Sequence, residues 1–113
     1  SMNHELTTII KAIEEKKGSD IIVYDFHQCN PFIDYTIIAS ATNLLQVYAL
    51  AENVVDRAHE AQIAVRRMEG EKDSAWILVD LNTIIVHIFL AEERSVYRLE
   101  QLYADLPILD SCA

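Results

Sequence analysis

Two strongly apolar segments, Ala75 to Leu81 and Ile84 to Leu90, are separated only by Asn82 and Thr83. A two-residue connection leaves no chain for a crossover, so the segments pair as an antiparallel hairpin. Asn at the first loop position tolerates the positive φ that such turns require. The turn predicts the register: Leu81 opposite Ile84, Val79 opposite Val86, Ile77 opposite Ile88. Side chains alternate along a strand, so these six aliphatic residues share one face, and that face is core. The other face holds Trp76, Leu78, Asp80, Ile85, His87 and Phe89. Large aromatics beside a carboxylate and an imidazole are a mixture that protein interfaces use. The plain structural alternative is a terminal helix covering this face, with His87 a satisfied, half-buried histidine.

The rest of the chain supplies the layers that such a hairpin needs. Leu6, Ile9, Ile10 and Ile13 fall at helical spacing, with Gly18 as the stop. Asp20 opens a buried strand, Ile21 to Tyr24, and Asp25 to Pro31 reads as a loop. Tyr35 to Ser40 is a second strand. Asn43 caps a helix whose apolar stripe runs from Leu44 to about Ala61. A short strand is expected around Ala64 to Met68, then a polar loop from Glu69 to Ser74. Beyond the hairpin, Glu92 and Glu93 start one last helix carrying Val96, Leu99 and Leu102, and the tail after Pro107 shows no period. The expected fold is α/β, a single domain over 1–113 with a mixed sheet of about five strands packed by helices. Ser1 before Met2 reads as a remnant of tag removal.

Composition narrows the functional classes. At 113 residues there is room for one core, and 51% hydrophobic residues suffice to build it. A net charge of −9 argues against wrapping nucleic-acid phosphates, so no sequence-specific nucleic-acid binding is expected, and any work near RNA should go through a basic protein. No apolar run is long enough to span a bilayer, which points to the cytoplasm. Cys29 and Cys112 read as reduced and incidental, and the four histidines fall in different elements without metal-ligand spacing, so neither metal nor cofactor is expected. The apolar-rich second hairpin face predicts a homodimer in the free protein.

The order and spacing of several pieces resemble the Iojap-like ribosomal silencing factors from about Gly18 to Tyr103. These are Asp20-Ile21, then Asp34-Tyr35-Thr36-Ile37-Ile38-Ala39-Ser40, then Gln46-Val47 with Ala51. Glu69-Gly70, Trp76-Ile77-Leu78-Val79-Asp80 and Val86-His87-Ile88-Phe89 follow, then Arg94, Tyr97, Leu99-Glu100 and Leu102. The chain departs from the family pattern at Asn82, where the family has Gly, at Ser40-Ala41, where it has Thr-Gly, and at Tyr103, where it has Trp. The resemblance implies a translation repressor that binds the large ribosomal subunit through the basic ribosomal protein fourteen. It would sterically block the small subunit when nutrients are scarce, with a part in large-subunit biogenesis. On this chain the implied partner-binding residues are Trp76, Asp80 and His87, with Leu81, Ile84 and Phe89 from the hairpin and Arg94 and Tyr97 beside it.

The same resemblance implies a nucleotidyltransferase-like topology, which makes an enzyme of that kind the alternative. Such enzymes hold Mg²⁺ on carboxylates two residues apart along a strand. The nearest match is Asp80-Leu81-Asn82, whose second member is an amide in a turn, and Gly18-Ser19 is only a superficial match to their Gly-Ser turn. His27 with Cys29 is a lone pair in a loop. The expectation is therefore no enzymatic activity.

Overall fold

The computed structural model describes residues 3–109. The readings of Ser1 and Cys112 lie outside the described residues. In chain order the elements are α1 (His4–Glu15), β1 (Ser19–Asp25), β2 (Tyr35–Ala41), α2 (Leu44–Glu60), β3 (Arg67–Glu69), β4 (Trp76–Asp80), β5 (Ile84–Leu90), α3 (Ala91–Tyr97), α4 (Leu99–Leu102) and β6 (Ile108–Leu109). The strands form one mixed sheet in the order β3-β4-β5-β2-β1-β6. Only β2 and β5 run parallel, from Tyr35 opposite Ile84 to Ala41 opposite Leu90. The expected α/β class holds, with six strands rather than about five.

The hairpin register is the one its turn predicts: Ile77 pairs with Ile88 and Val79 with Val86, and Asn82 takes a φ of 71°. Ile77, Val79, Leu81, Ile84, Val86 and Ile88 all lie in the main core with the apolar faces of α1 and α2. Both long helices are capped on their first turn. Asn3 Oδ1 accepts from the Leu6 amide at 2.8 Å and Asn43 Oδ1 from the Gln46 amide at 2.8 Å. The stop of α1 differs from expectation. Lys17, not Gly18, adopts the left-handed conformation, with φ 67°. The Lys17 amide donates to Glu14 O and the Gly18 amide to Ile13 O, the paired bonds of a Schellman turn. Gly18 is needed for closeness instead, because a Cβ there would run into the Ile13 side chain and lie 3.2 Å from Leu50 Cδ2.

Three further boundaries move. The short strand expected at Ala64 to Met68 forms at Arg67–Glu69, where it can pair with Leu78 to Asp80. The expected single last helix is broken at Arg98, whose φ is 57°, so α3 and α4 are two short helices. The break turns Val96 and Leu102 outward, 64% and 74% exposed, while Leu99 turns in. The aperiodic tail then adds β6, antiparallel to β1 through Val23–Leu109 and Tyr24–Ile108. Two residues are too few for a period to show.

Candidate functional site

The second face of the sheet has its own small core. Tyr24, Ile38 and Phe89 are buried there, with Trp76, Leu99, Tyr103 and Leu106 packed against them. A strap of α3, α4 and β6 runs over the β1–β2 side of this face and ends with β6 extending the sheet beside β1. Arg94 fastens it: Nε donates to Glu100 at 2.8 Å, and one terminal nitrogen donates to Asp20 O at 2.6 Å and to Ser40 Oγ at 2.7 Å. Its side chain is only 10% exposed. Arg94 therefore holds the strap to the β1–β2 edge.

At α3, where the strap begins, aromatic rings cluster. Trp76 lies 4.5 Å from Tyr97 and stacks on Phe89 at 5.1 Å, and Phe89 stacks on Tyr97 at 5.4 Å. Phe89 is wholly buried beneath them. Trp76 is partly exposed, and Tyr97 and Val96 stand out at 41% and 64%. On the other flank of Trp76 a groove of about 290 Å³ is lined by Glu69, Gly70 and Leu78. Gly70 keeps it close: with φ +124°, a Cβ there would meet Ile77 Cγ1 at 2.7 Å.

The expected partner-binding set thus divides. Trp76 and Tyr97 lie together at the surface. Leu81 and Ile84, expected to extend the patch at the hairpin tip, belong to the main core, 3% and 1% exposed. Their own register puts them on the aliphatic face, so neither they nor Phe89 offers surface to a partner. Asp80 and His87 are buried as well, 4% and 6% exposed, lining a neighbouring cleft. Val96 and Leu102 are the surface residues that sequence periodicity misplaces, because the stripe continues through a helix break that Arg98 does not announce.

The cleft, of about 460 Å³, runs between the loop at 26–34 and the β3–β4 edge, with Thr36, Leu78, Ile85 and His87 on its floor and Phe26, Phe32, Ile33 and Tyr103 along its wall. The loop is held by His27, whose Nδ1 lies 2.6 Å from Asp25 and whose Nε2 lies 3.3 Å from Asp34. Bonds from the His27 amide and ring hold the Asp25 carboxyl below its usual range. His27 is thus engaged with two carboxylates and not with Cys29. Asp80 accepts from the Asn82 amide at 2.9 Å and faces Arg66 and Arg67 at 3.7 and 3.8 Å. Its carboxylate caps the turn and meets cations of its own chain, and the residue two positions on is the amide Asn82. Ser19 Oγ leans on Ser40 O at 3.4 Å, a bond between paired strands.

His87 is neutral. Burial pushes its pKa down to about 4, and its Nδ1 accepts from Trp76 Nε1 at 3.1 Å. The histidine thereby fixes the orientation of the indole at the surface.

The family model described as ribosomal silencing factor during starvation matches residues 1–112. The chain belongs to this family. It is 38% identical over 99 residues to the ribosomal silencing factor RsfS of Bacillus subtilis, covering 88% of this chain and 84% of that one. It is 30% identical to the chloroplastic protein Iojap of maize over 87% of this chain and 42% of that longer protein. Among solved structures, a Chromobacterium violaceum protein superposes with a TM-score of 0.86 at 31% identity, over 91% of this chain and 88% of the other. The Bacillus subtilis relative carries the name of a regulatory factor of the ribosome. Among the described residues, no helix is long and apolar enough to cross a membrane.

Proposed function

We propose that the chain docks on the large ribosomal subunit, through the basic ribosomal protein fourteen, by the surface that Trp76, Tyr97 and Val96 form. Bound there it keeps the small subunit away by occupying space, represses translation when nutrients are scarce, and assists assembly of the large subunit. It acts in the cytoplasm and catalyses no reaction. The observation that carries this reading is the aromatic cluster itself: Trp76 and Tyr97, 4.5 Å apart, rest on the buried Phe89, so two large side chains are presented already ordered. Preordered aromatics serve as anchors because little rotamer freedom is lost on docking. Glu92 and Glu93 lie in the first turn of α3 and Glu69 in the adjoining groove, and the chain carries a net −9, which complements a basic partner and speeds encounter. Of the residues first expected at the partner, Asp80, His87 and Arg94 act from behind: Arg94 holds the strap, His87 holds the indole, and Asp80 holds the turn.

Free in solution, the chain pairs with a second copy that covers Val96, Tyr97 and Leu102 until the partner displaces it. Light scattering at micromolar concentration reads this directly, and a strict monomer would rule it out. The decisive experiment for docking is co-sedimentation of Trp76→Ala with purified large subunits. Removing an anchor of this type costs about 2 kcal/mol, roughly 30-fold in affinity. Subunit joining should recover in parallel. Tyr97→Ala controls for misfolding, since Tyr97 lies at the surface. If both variants melt as the parent does and still block joining at parental concentration, the docking surface lies elsewhere.

A further inference from the structure

The cleft beside the docking surface contains two polar groups that the fold leaves without partners. The Trp76 indole N–H can only donate, so at 3.1 Å His87 Nδ1 must be the acceptor. A neutral imidazole whose Nδ1 accepts carries its proton on Nε2. The two ring nitrogens point in different directions. His87 lines the cleft and Trp76 does not, so the Nε2–H is aimed into the cleft. Among the described residues it meets no acceptor, although the side chain is only 6% exposed. Thr36, 2% exposed on the same floor, likewise has a hydroxyl without a hydrogen bond among the described residues. Thr36 pairs with Ile85 and His87 with Ile38 on adjacent strands, which makes them diagonal neighbours roughly 7–8 Å apart at the backbone. Neither atom is sealed off, since among the described residues the buried side-chain polar atom without a partner is Arg57 Nε. Both open onto the one cavity, where a molecule from outside can bond them.

The walls say what kind of molecule completes it. Phe26 and Tyr103 meet edge to face at 5.1 Å, and Phe32 stands at the mouth, 79% exposed. Aromatic walls favour a flat ring. At the rim, cations and carboxylates balance, since the two arginines are matched by Asp80 and Glu69, so the rim selects no net charge. A volume of about 460 Å³ falls within the range of small-molecule sites. We propose that this cleft binds a small, uncharged heteroaromatic molecule of about purine size, with a ring nitrogen or carbonyl accepting from His87 Nε2–H, a neighbouring polar atom meeting the Thr36 hydroxyl, and the ring against Phe26 and Tyr103. The net charge of −9 opposes a nucleic-acid strand and favours a free nucleoside over a base still carried in RNA. The site is separate from the docking surface and does not depend on that reading.

The test is an NMR titration of the free full chain with adenosine, guanosine and uridine as probes, followed at the His87 ring, the Trp76 indole and the Thr36 amide. A purine nucleoside should give saturable shifts at all three. Thr36→Val, which keeps the shape and removes the hydroxyl, should weaken binding about 10-fold, as loss of one hydrogen bond does. His87→Phe should abolish it, with thermal melting to establish that the variant is folded. Tyr97→Ala should leave it unchanged. Absence of saturable shifts with every nucleoside, or equal binding by Thr36→Val, overturns the proposal. So does binding of only a short single-stranded oligonucleotide, or of only N-acetyl-leucine amide, which would assign the cleft to RNA or to a peptide segment.

Discussion

The seven residues of β5 serve two surfaces that are built on different terms. Ile84, Val86 and Ile88 point toward α1 and α2 into a largely aliphatic core. Ile85, His87 and Phe89 point the other way, beneath an aromatic cluster, a cleft and a strap of short helices. The first surface is defined by volume and hydrophobicity, which many combinations of side chains would satisfy. The second is defined by named partners: an indole N–H on an imidazole nitrogen, and a guanidinium on a carboxylate, a carbonyl and a hydroxyl. The difference teaches that one strand can carry stability on one side and recognition on the other, with burial alone a poor guide to which is which. Phe89 and His87 are as buried as a core residue, yet what they support is a surface.

The largest expected effect tests the aliphatic side. Ile88→Ala opens a cavity in a region where no polar group can compensate, and should lower stability by about 4 kcal/mol in chemical denaturation. A loss under 1 kcal/mol would mean that the helix layer collapses onto the gap and that this face is not closely packed.

The next effect is specific to the other side. In the folded chain the pKa of His87 is about 4, below its ordinary 6.5, because burial disfavours the imidazolium. A depressed histidine contributes stability that is complete above pH 6.5 and is lost as pH falls from there toward 4. The difference amounts to about 3 kcal/mol. Denaturation curves over that window should show this loss in the parent and a shallower dependence in His87→Gln. Parallel curves would assign the acid sensitivity to other groups.

The smallest effect concerns the strap. Arg94→Met keeps the aliphatic stem and removes three hydrogen bonds from a side chain that is mostly buried, and should cost about 2 kcal/mol. Near-UV circular dichroism should change along with it, because Tyr97 and Trp76 lose their common support. An unaltered aromatic spectrum in a destabilised variant would separate strap from cluster and break the link between them.

How far the sequence discloses each side follows from the same contrast. The Asn82-Thr83 turn and strict alternation give the strand pairing and all six inward residues, because register and period are local properties. The caps at Asn43 and the stripe of α2 are legible for the same reason. The second face is not. Its residues were identifiable as a set, but whether Phe89 or Trp76 reaches the surface depends on where the strap crosses, and that is decided by a left-handed Arg98 and by a two-residue β6. Neither leaves a periodic trace. Arg94 shows the limit most plainly: its partners Asp20 and Ser40 are distant in sequence, and an arginine after two glutamates reads as surface.

The sheet order carries a consequence for how the molecule assembles. β1 with β2, and β3 with β4 and β5, are each antiparallel units joined by near neighbours in the chain, whereas β2 meets β5 only after α2 and the second unit have intervened. That parallel seam, Tyr35 opposite Ile84, closes a longer loop than any pairing within either unit, and so belongs after them on the folding route. The strap leaves β5 on one side of the seam and ends as β6 against β1 on the other, with Arg94 bonded to Asp20 and Ser40 along the way. It works as a suture. Until it is laid down the two halves are joined by strand pairing and by α2 on the opposite face, and the aromatic surface it presents exists only in chains whose halves have already been joined.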